Sequence, residues 1–268
     1  MTTPPVFLID PGAAAPSGRA AVGEGAGFAV GETVSLYGEE ARHAHVKRIA
    51  AGETIDLVDG QGLRLTCEVV GVAKTAVEAV VRRRVVEEPP RPRLTLVQAL
   101  AKGGRDEQAI EAATEVGIDR VIPWEARRSI VQWSGPKADK GRAKWQSICV
   151  SAMKQSRRAF LPGVEEVLSF RGIEAWTRSV IGEGGAVLVC HESAERHLSD
   201  LLNHWGNSGK SFTEIAVVVG PEGGIDEDEL AAFRAGGAEI ILLGPHVLRS
   251  STAGPLATAL VAAGCGRW

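Results

Sequence analysis

The sequence predicts an α/β protein: a C-terminal parallel sheet covered by helices, preceded by a small β-rich domain. Three observations predict it. Short runs that are apolar on both faces recur at "LTLVQAL" (94–100), "AVLVC" (186–190), "EIAVVVG" (214–220) and "EIILLG" (239–244), as buried parallel strands require. Segments of helical spacing alternate with them, the grammar of a sheet with helices on its faces. The first 86 residues differ, with apolar and polar residues alternating at period two, as in strands with one buried face.

Each element follows from its residues. In "ETIDLVDGQGLRLTCEVVGV" a strand, a tight Asp-Gly-Gln-Gly turn and a second strand are expected, with Leu63, Leu65, Cys67 and Val69 facing inward. "KTAVEAVVRRRVV" continues as a strand, and a short helix is expected near residues 39–49. Residues 1–86 thus read as a small, half-open β-barrel. Three prolines in "EEPPRPR" make 87–93 a stiff linker. Over 94–268, three stripes at i, i+3, i+4, i+7 mark helices with a core face: Ala109, Ala112, Ala113, Val116; Trp145, Ile148, Cys149, Ala152; and Leu256, Ala259, Leu260, Ala263.

Composition bounds the function. The 268 residues are 44% apolar, enough for a sizeable core. No uninterrupted apolar stretch of about 18 residues exists, so no membrane span is expected. "MTTPPVFLID" carries no basic leader, and a cytoplasmic protein is expected. Cys67, Cys149, Cys190 and Cys265 are far apart with no CxxC pair. They read as small buried hydrophobes, and neither a metal nor a disulfide framework is expected. The net charge is −3, yet residues 120–158 hold ten Lys/Arg against two acids. That segment is +8, so the remainder is −11, and a local phosphate-binding face competes with an ordinary solvated helix face.

Parallel sheets bind ligands at the carboxyl ends of their strands. His191-Glu192-Ser193 follow one run, Gly220-Pro221-Glu222-Gly223-Gly224 the next, and "GPHVLRSSTA" (244–253) the last. "HWGNSGKS" (204–211) is a decoy for a phosphate loop, because His204 stands where the first glycine belongs and a strand follows. Asp226 is expected to cap a helix whose first turn is acidic. Glu222 is different: a carboxylate among loop amides suits a ligand with hydroxyls or a positive centre, not a phosphate. In the last loop, apolar Val247 and Leu248 suit the floor of a pocket for a flat base. Arg249 precedes an expected N-cap at Ser250/Ser251 and suits a surface salt bridge, a phosphate or a base carbonyl.

"VVVGPEGG" followed by "LLGPHVLRSSTA" resembles the ribosomal RNA small subunit methyltransferase E family of the SPOUT superfamily. "HVKRIAAGETIDLVDGQG", "QALAKGGRDEQAIEAATEVGIDRVIPWEARRSIV" and "KWQSICVSAMKQSRRAFLP" agree in the same order. The resemblance implies a PUA-like RNA-binding domain over 1–86 and a methyltransferase domain over 94–268 with a trefoil knot. It implies S-adenosylmethionine as cofactor, methylation of N3 of a uridine in 16S rRNA of the small ribosomal subunit, and a homodimer. By position, it places His191, Glu192, Gly220, Glu222, Gly223, Gly224, Leu243, Gly244, Val247, Leu248, Thr252 and Ala253 at the cofactor, with Arg249 and Glu222 as catalytic candidates. Lys47, Arg48, Arg127, Arg128, Arg157 and Arg158 are the expected RNA contacts. His246 and Ser251 depart from the family pattern of Arg and of Thr-Glu-Thr. They keep open the rival reading of an RNA-binding or ribosome-assembly protein with weak or different specificity.

Overall fold

The period-two alternation folds as a five-stranded sheet. The computed structural model describes residues 3–9 and 28–268; part of the expected β region, residues 10–27, lies outside them. Strands β1 (Val6–Leu8), β2 (Thr33–Tyr37), β3 (Thr54–Val58), β4 (Leu63–Ala73) and β5 (Ala76–Val86) take the order β1-β3-β4-β5-β2. All pairs are antiparallel except β1 with β3. Leu63, Leu65, Cys67 and Val69 face one core with Phe7, Leu36, Leu57, Val77 and Val81. The expected short helix is α1 (Gly38–Val46).

This first unit comprises the described residues up to 89 together with 153–161; the second comprises 90–152 and 162–268. The expected second domain, 94–268, includes 153–161, which here belong to the first unit. The segment is held in the first by the β3–β4 turn. Gly62 donates to the Ala159 carbonyl at 3.2 Å, and Leu161 donates to the Gly60 carbonyl at 2.9 Å. Gly62 has φ +111°, and a Cβ there would stand 2.7 Å from the Phe160 ring. Only glycine meets both demands.

The second unit continues with β6 (Arg93–Ala99), α2 (Arg105–Val116), β7 (Arg120–Glu125), α3 (Pro136–Gln155), β8 (Gly163–Val164) and β9 (Leu168–Ser169). Then come α4 (Ile173–Gly182), β10 (Ala186–Cys190), α5 (Leu198–Ser208), β11 (Glu214–Val219), α6 (Glu227–Gly236), β12 (Glu239–Ile241) and α7 (Ser250–Gly264). The sheet runs β12-β10-β11-β6-β7-β8, parallel throughout, with β9 also on β7. On one face Val97, Trp124, Val187 and Val218 pack with Ile173 and Val180 of α4 and Leu230 and Phe233 of α6. Phe233 is fully buried, edge-on to Trp124 at 5.5 Å; burying it contributes roughly 1.5–3 kcal/mol. The opposite face receives α2 and α7, with Gly254 against Leu96. No helix of the described residues is long and apolar enough to cross a membrane.

Three expectations are corrected here. The stripe Leu256, Ala259, Leu260, Ala263 is not the core face of α7: Leu256 and Leu260 are 39% and 40% exposed. The buried face is Ala253, Gly254, Ala257, Thr258, Val261 and Ala262. The N-cap of α7 is Arg249, not Ser250 or Ser251. The four cysteines are free; Cys67 and Cys149 are buried, but Cys190 and Cys265 only partly.

At the sheet edge the chain crosses itself closely. β12 pairs with β10 on one side. Just beyond its end, Leu242 bridges to His197, donates to the Arg196 carbonyl at 2.8 Å and accepts from Leu198 N–H at 2.9 Å. The segment that leaves β10 therefore returns along the far side of the chain that leaves β12.

Candidate active site

Parallel pairing puts the loops that follow the strands along one edge of the sheet. Because β12, β10 and β11 are neighbours, the loops 242–249, 191–197 and 220–226 lie side by side. The loops after β6 and β7 flank them beyond β11.

The loop after β11 is fixed by its own acids. Asp226 accepts from the Asp228 N–H at 3.1 Å, and Glu229 accepts from the Asp226 N–H at 3.1 Å. This reciprocal pair is a capping box at the start of α6. Glu229 is fully buried, and its second oxygen accepts from the Arg127 N–H at 2.8 Å. One carboxylate thus staples the loop after β11 to the loop after β7. Burial pushes the Glu229 carboxyl above its ordinary range, and the two backbone donors pull it back. The Asp226 carboxyl is held below its ordinary range, chiefly by the Asp228 amide and then by Arg127.

The same staple involves two residues expected at RNA. Arg127 pairs with Asp228 at 2.5 Å and Asp226 at 3.2 Å, and its guanidinium lies 3.9 Å over the Phe170 ring. Arg128 reaches the Gly223 carbonyl at 3.4 Å and Asp226 at 3.5 Å. A Cβ on Gly223 would lie 3.1 Å from the Arg128 Cβ and 3.2 Å from its carbonyl. The bare side of Gly223 therefore faces the loop after β7. Gly220 packs on Ile225, and Gly224 turns the chain at φ +75°. Glu222 accepts from Arg105 Nη1 at 2.9 Å.

In the loop after β10, His191 Nδ1 accepts from the Ser193 N–H at 3.2 Å and lies 2.8 Å from its hydroxyl. Its Nε2 lies 3.9 Å from the Glu192 carboxylate. In the loop after β12, Leu243, Gly244 and Leu248 are half-buried, while Val247 is 82% exposed. Arg249 and Thr252 are exposed and Ala253 is buried. The Arg249 carbonyl accepts from the N–H groups of Thr252 and Ala253, so it opens α7 through its backbone and leaves its guanidinium outward.

The remaining basic residues belong to the first unit. Lys47 and Arg48 follow α1, and Arg157 and Arg158 follow α3. Arg48 and Arg157 have φ +58° and +60°. A left-handed arginine costs roughly 1 kcal/mol relative to glycine, so each helix end carries a cation at some expense. Arg105, Phe170 and Glu229 are the site neighbours that the sequence reading missed. The Gly103-Gly104 pair after β6 was a signal for the first.

The three central loops bring groups of several kinds to one edge of the sheet. They offer a carboxylate (Glu222), backbone amides and apolar Leu243, Val247 and Leu248. A Cβ placed on Gly244 would meet nothing within 4 Å, which leaves space over the last loop. This donor set fits hydroxyls, a flat base and a positive centre, and the arginines that reach the loop after β11 are paired there, Arg105 with Glu222 and Arg128 with Gly223 and Asp226.

Residues 87–262 match an RNA methyltransferase domain and residues 36–82 an RNA methyltransferase PUA domain. The chain is 41% identical over 239 residues to ribosomal RNA small subunit methyltransferase E of Mycobacterium bovis, covering 89% of each. It is 30% identical to the Bacillus subtilis protein of that name, covering 82% of this chain and 86% of that one. The Neisseria gonorrhoeae enzyme of the same name, crystallised bound to S-adenosyl methionine, superposes with TM-score 0.79 at 26% identity, over 97% of this chain and 98% of that one. With both domain matches in place and the relatives aligned along nearly its whole length, the chain belongs to the ribosomal RNA small subunit methyltransferase E family.

Proposed function

We propose that this protein methylates N3 of a uridine in 16S rRNA of the small ribosomal subunit, with S-adenosylmethionine as the methyl donor. The observation that carries the reading is the side-by-side placement of the loops after β12, β10 and β11, in a chain of this family. His191, Glu192, Gly220, Glu222, Gly223, Gly224, Leu243, Gly244, Val247, Leu248, Thr252 and Ala253 are the residues proposed to hold the cofactor. When bound, the cofactor supplies an electrophilic methyl group on a positively charged sulfur.

The chain's own part is to orient and to manage charge. Leu243, Val247 and Leu248 give a flat base an apolar surface that keeps water away. Glu222 presents a negative charge to a neutral or cationic ligand. The uracil must lose its N3 proton and develop charge on its carbonyl oxygens, and the outward guanidinium of Arg249 is suited to meet that charge. Such alignment of base and methyl supplies much of the rate. The target base must be turned out to reach the loops.

Three further features belong to the same reading. The return of segment 196–198 along the far side of the chain leaving β12 supports a trefoil knot around the cofactor loops. The outward apolar stripe of α7 supports a homodimer. Action on ribosomal RNA supports a cytoplasmic location. Calorimetric titration with S-adenosylmethionine and mapping of methylated nucleotides in rRNA from cells lacking the gene test the reading together. Saturable binding and loss of one N3-methyluridine are expected; an unchanged N3-methyluridine signal overturns the substrate.

A further inference from the structure

The loop after β6 carries an arginine in an unfavourable place for a helix. Arg105 is the first residue of α2, behind two consecutive left-handed glycines, Gly103 and Gly104. A helix start carries partial positive charge, so a cation there is disfavoured. The placement is nevertheless firmly built. Asp106 is buried, and its two oxygens accept from the Ala101 N–H at 3.2 Å and the Glu107 N–H at 2.9 Å. The β6 register, with Gln98 beside Val219, brings this loop next to the one after β11. Arg105 Nη1 there meets Glu222 at 2.9 Å, with the side chains 36% and 25% exposed. The two residues are 117 positions apart in sequence.

We propose that Arg105 is a positioning and charge-setting residue for the cofactor site: it aims Glu222 and balances its charge, so that the site prefers the cationic methyl donor over the neutral product less strongly than a lone carboxylate would. This rests on the reading that Glu222 lines the cofactor pocket. S-adenosylmethionine and its demethylated product, S-adenosylhomocysteine, differ by the methyl group and one positive charge on sulfur. A lone carboxylate favours the cationic form through Coulomb attraction that falls only slowly with distance in a half-buried site. A carboxylate paired with a guanidinium favours it much less. The pair therefore tunes the ratio of the two affinities, which sets how strongly the product competes with the methyl donor for the site.

Calorimetric titration of both ligands into the wild type, R105A, R105K, E222Q and R105A/E222Q tests this, with thermal unfolding as the check that each variant is folded. In R105A the preference for S-adenosylmethionine over S-adenosylhomocysteine rises, by about fivefold or more. In R105K it stays within about twofold of wild type, because the charge is kept. E222Q shifts it in the opposite direction, and the double variant returns towards wild type. Equal weakening of both ligands in R105A, as from a merely structural role, overturns the proposal while a shift in E222Q still leaves Glu222 at the cofactor. An unchanged preference in E222Q removes Glu222 from the pocket, and the proposal with it.

Discussion

At Glu229 a single side chain joins two loops of the site, and its chemistry shows how. Its two oxygens each accept a backbone N–H, from Arg127 and from Asp226. Glu229→Gln replaces one acceptor by a donor and leaves one buried amide unpaired, which costs about 1–3 kcal/mol. The pH dependence follows from the raised carboxyl pKa, caused first by burial. A folded-state pKa above the unfolded value means that the folded protein binds the proton more tightly. The resulting stability is fully present below the unfolded pKa and is lost as pH rises through the folded one. Glutamine has no such proton. The margin of the wild type over E229Q in denaturant unfolding should therefore widen as pH falls from 7 towards about 4; a margin that narrows would contradict the assignment. None of this was legible beforehand. The sequence showed Asp226 as a cap and Glu229 as one acid of a helix start, but the partner amide at Arg127 is 102 residues away.

Elements were legible wherever their pattern carried a phase. β10 was read to the residue, and β11 to its last, because runs buried on both faces are bounded by turn residues. β12 was expected to reach 244 but ends at Ile241, since the chain there turns to meet segment 196–198. α7 failed for the opposite reason. "SSTAGPLATALVAAG" is small or apolar nearly all round, so spacing alone could not say which stripe is inside; glycine and alanine win the inner face because α7 lies close on Leu96 and Gln98. The misread stripe is informative in itself. Leu256 and Leu260 are apolar and exposed one turn apart, as a helix at an interface between two copies would be. The double change Leu256→Glu and Leu260→Glu should leave the fold intact, since neither side chain is in the core. In light scattering or analytical ultracentrifugation it should convert a dimer to a monomer. A wild-type chain that is already monomeric, or a variant that still dimerises, refutes the interface.

For the whole molecule the question is how a chain of net charge −3 grips RNA. The +8 segment left a phosphate-binding face and an ordinary solvated helix face both open, and a count of charges could not decide between them. At least six of its ten cations have an acidic partner among the described residues: Arg120, Arg127, Arg128, Arg142, Lys144 and Lys154. Much of the block is therefore spent on the fold, and Arg127 and Arg128 in particular on the loop that carries Glu222. Lys47, Arg48 and Arg157, exposed at helix ends of the first unit, are better placed to meet phosphates. Each phosphate contact to a single strand releases counterions and steepens the salt dependence of log K by about 0.7. Anisotropy measurements with an rRNA fragment across a range of salt concentrations separate the two sets. K47A/R48A/R157A should flatten the slope by about 1–2 and leave S-adenosylmethionine affinity near wild type. R127A/R128A should keep the slope but weaken S-adenosylmethionine, because the loop after β11 loses its collar. If R127A/R128A instead flattens the slope as much as the triple variant does, these arginines contact RNA directly, and their pairing with Asp226 and Asp228 must open when RNA binds.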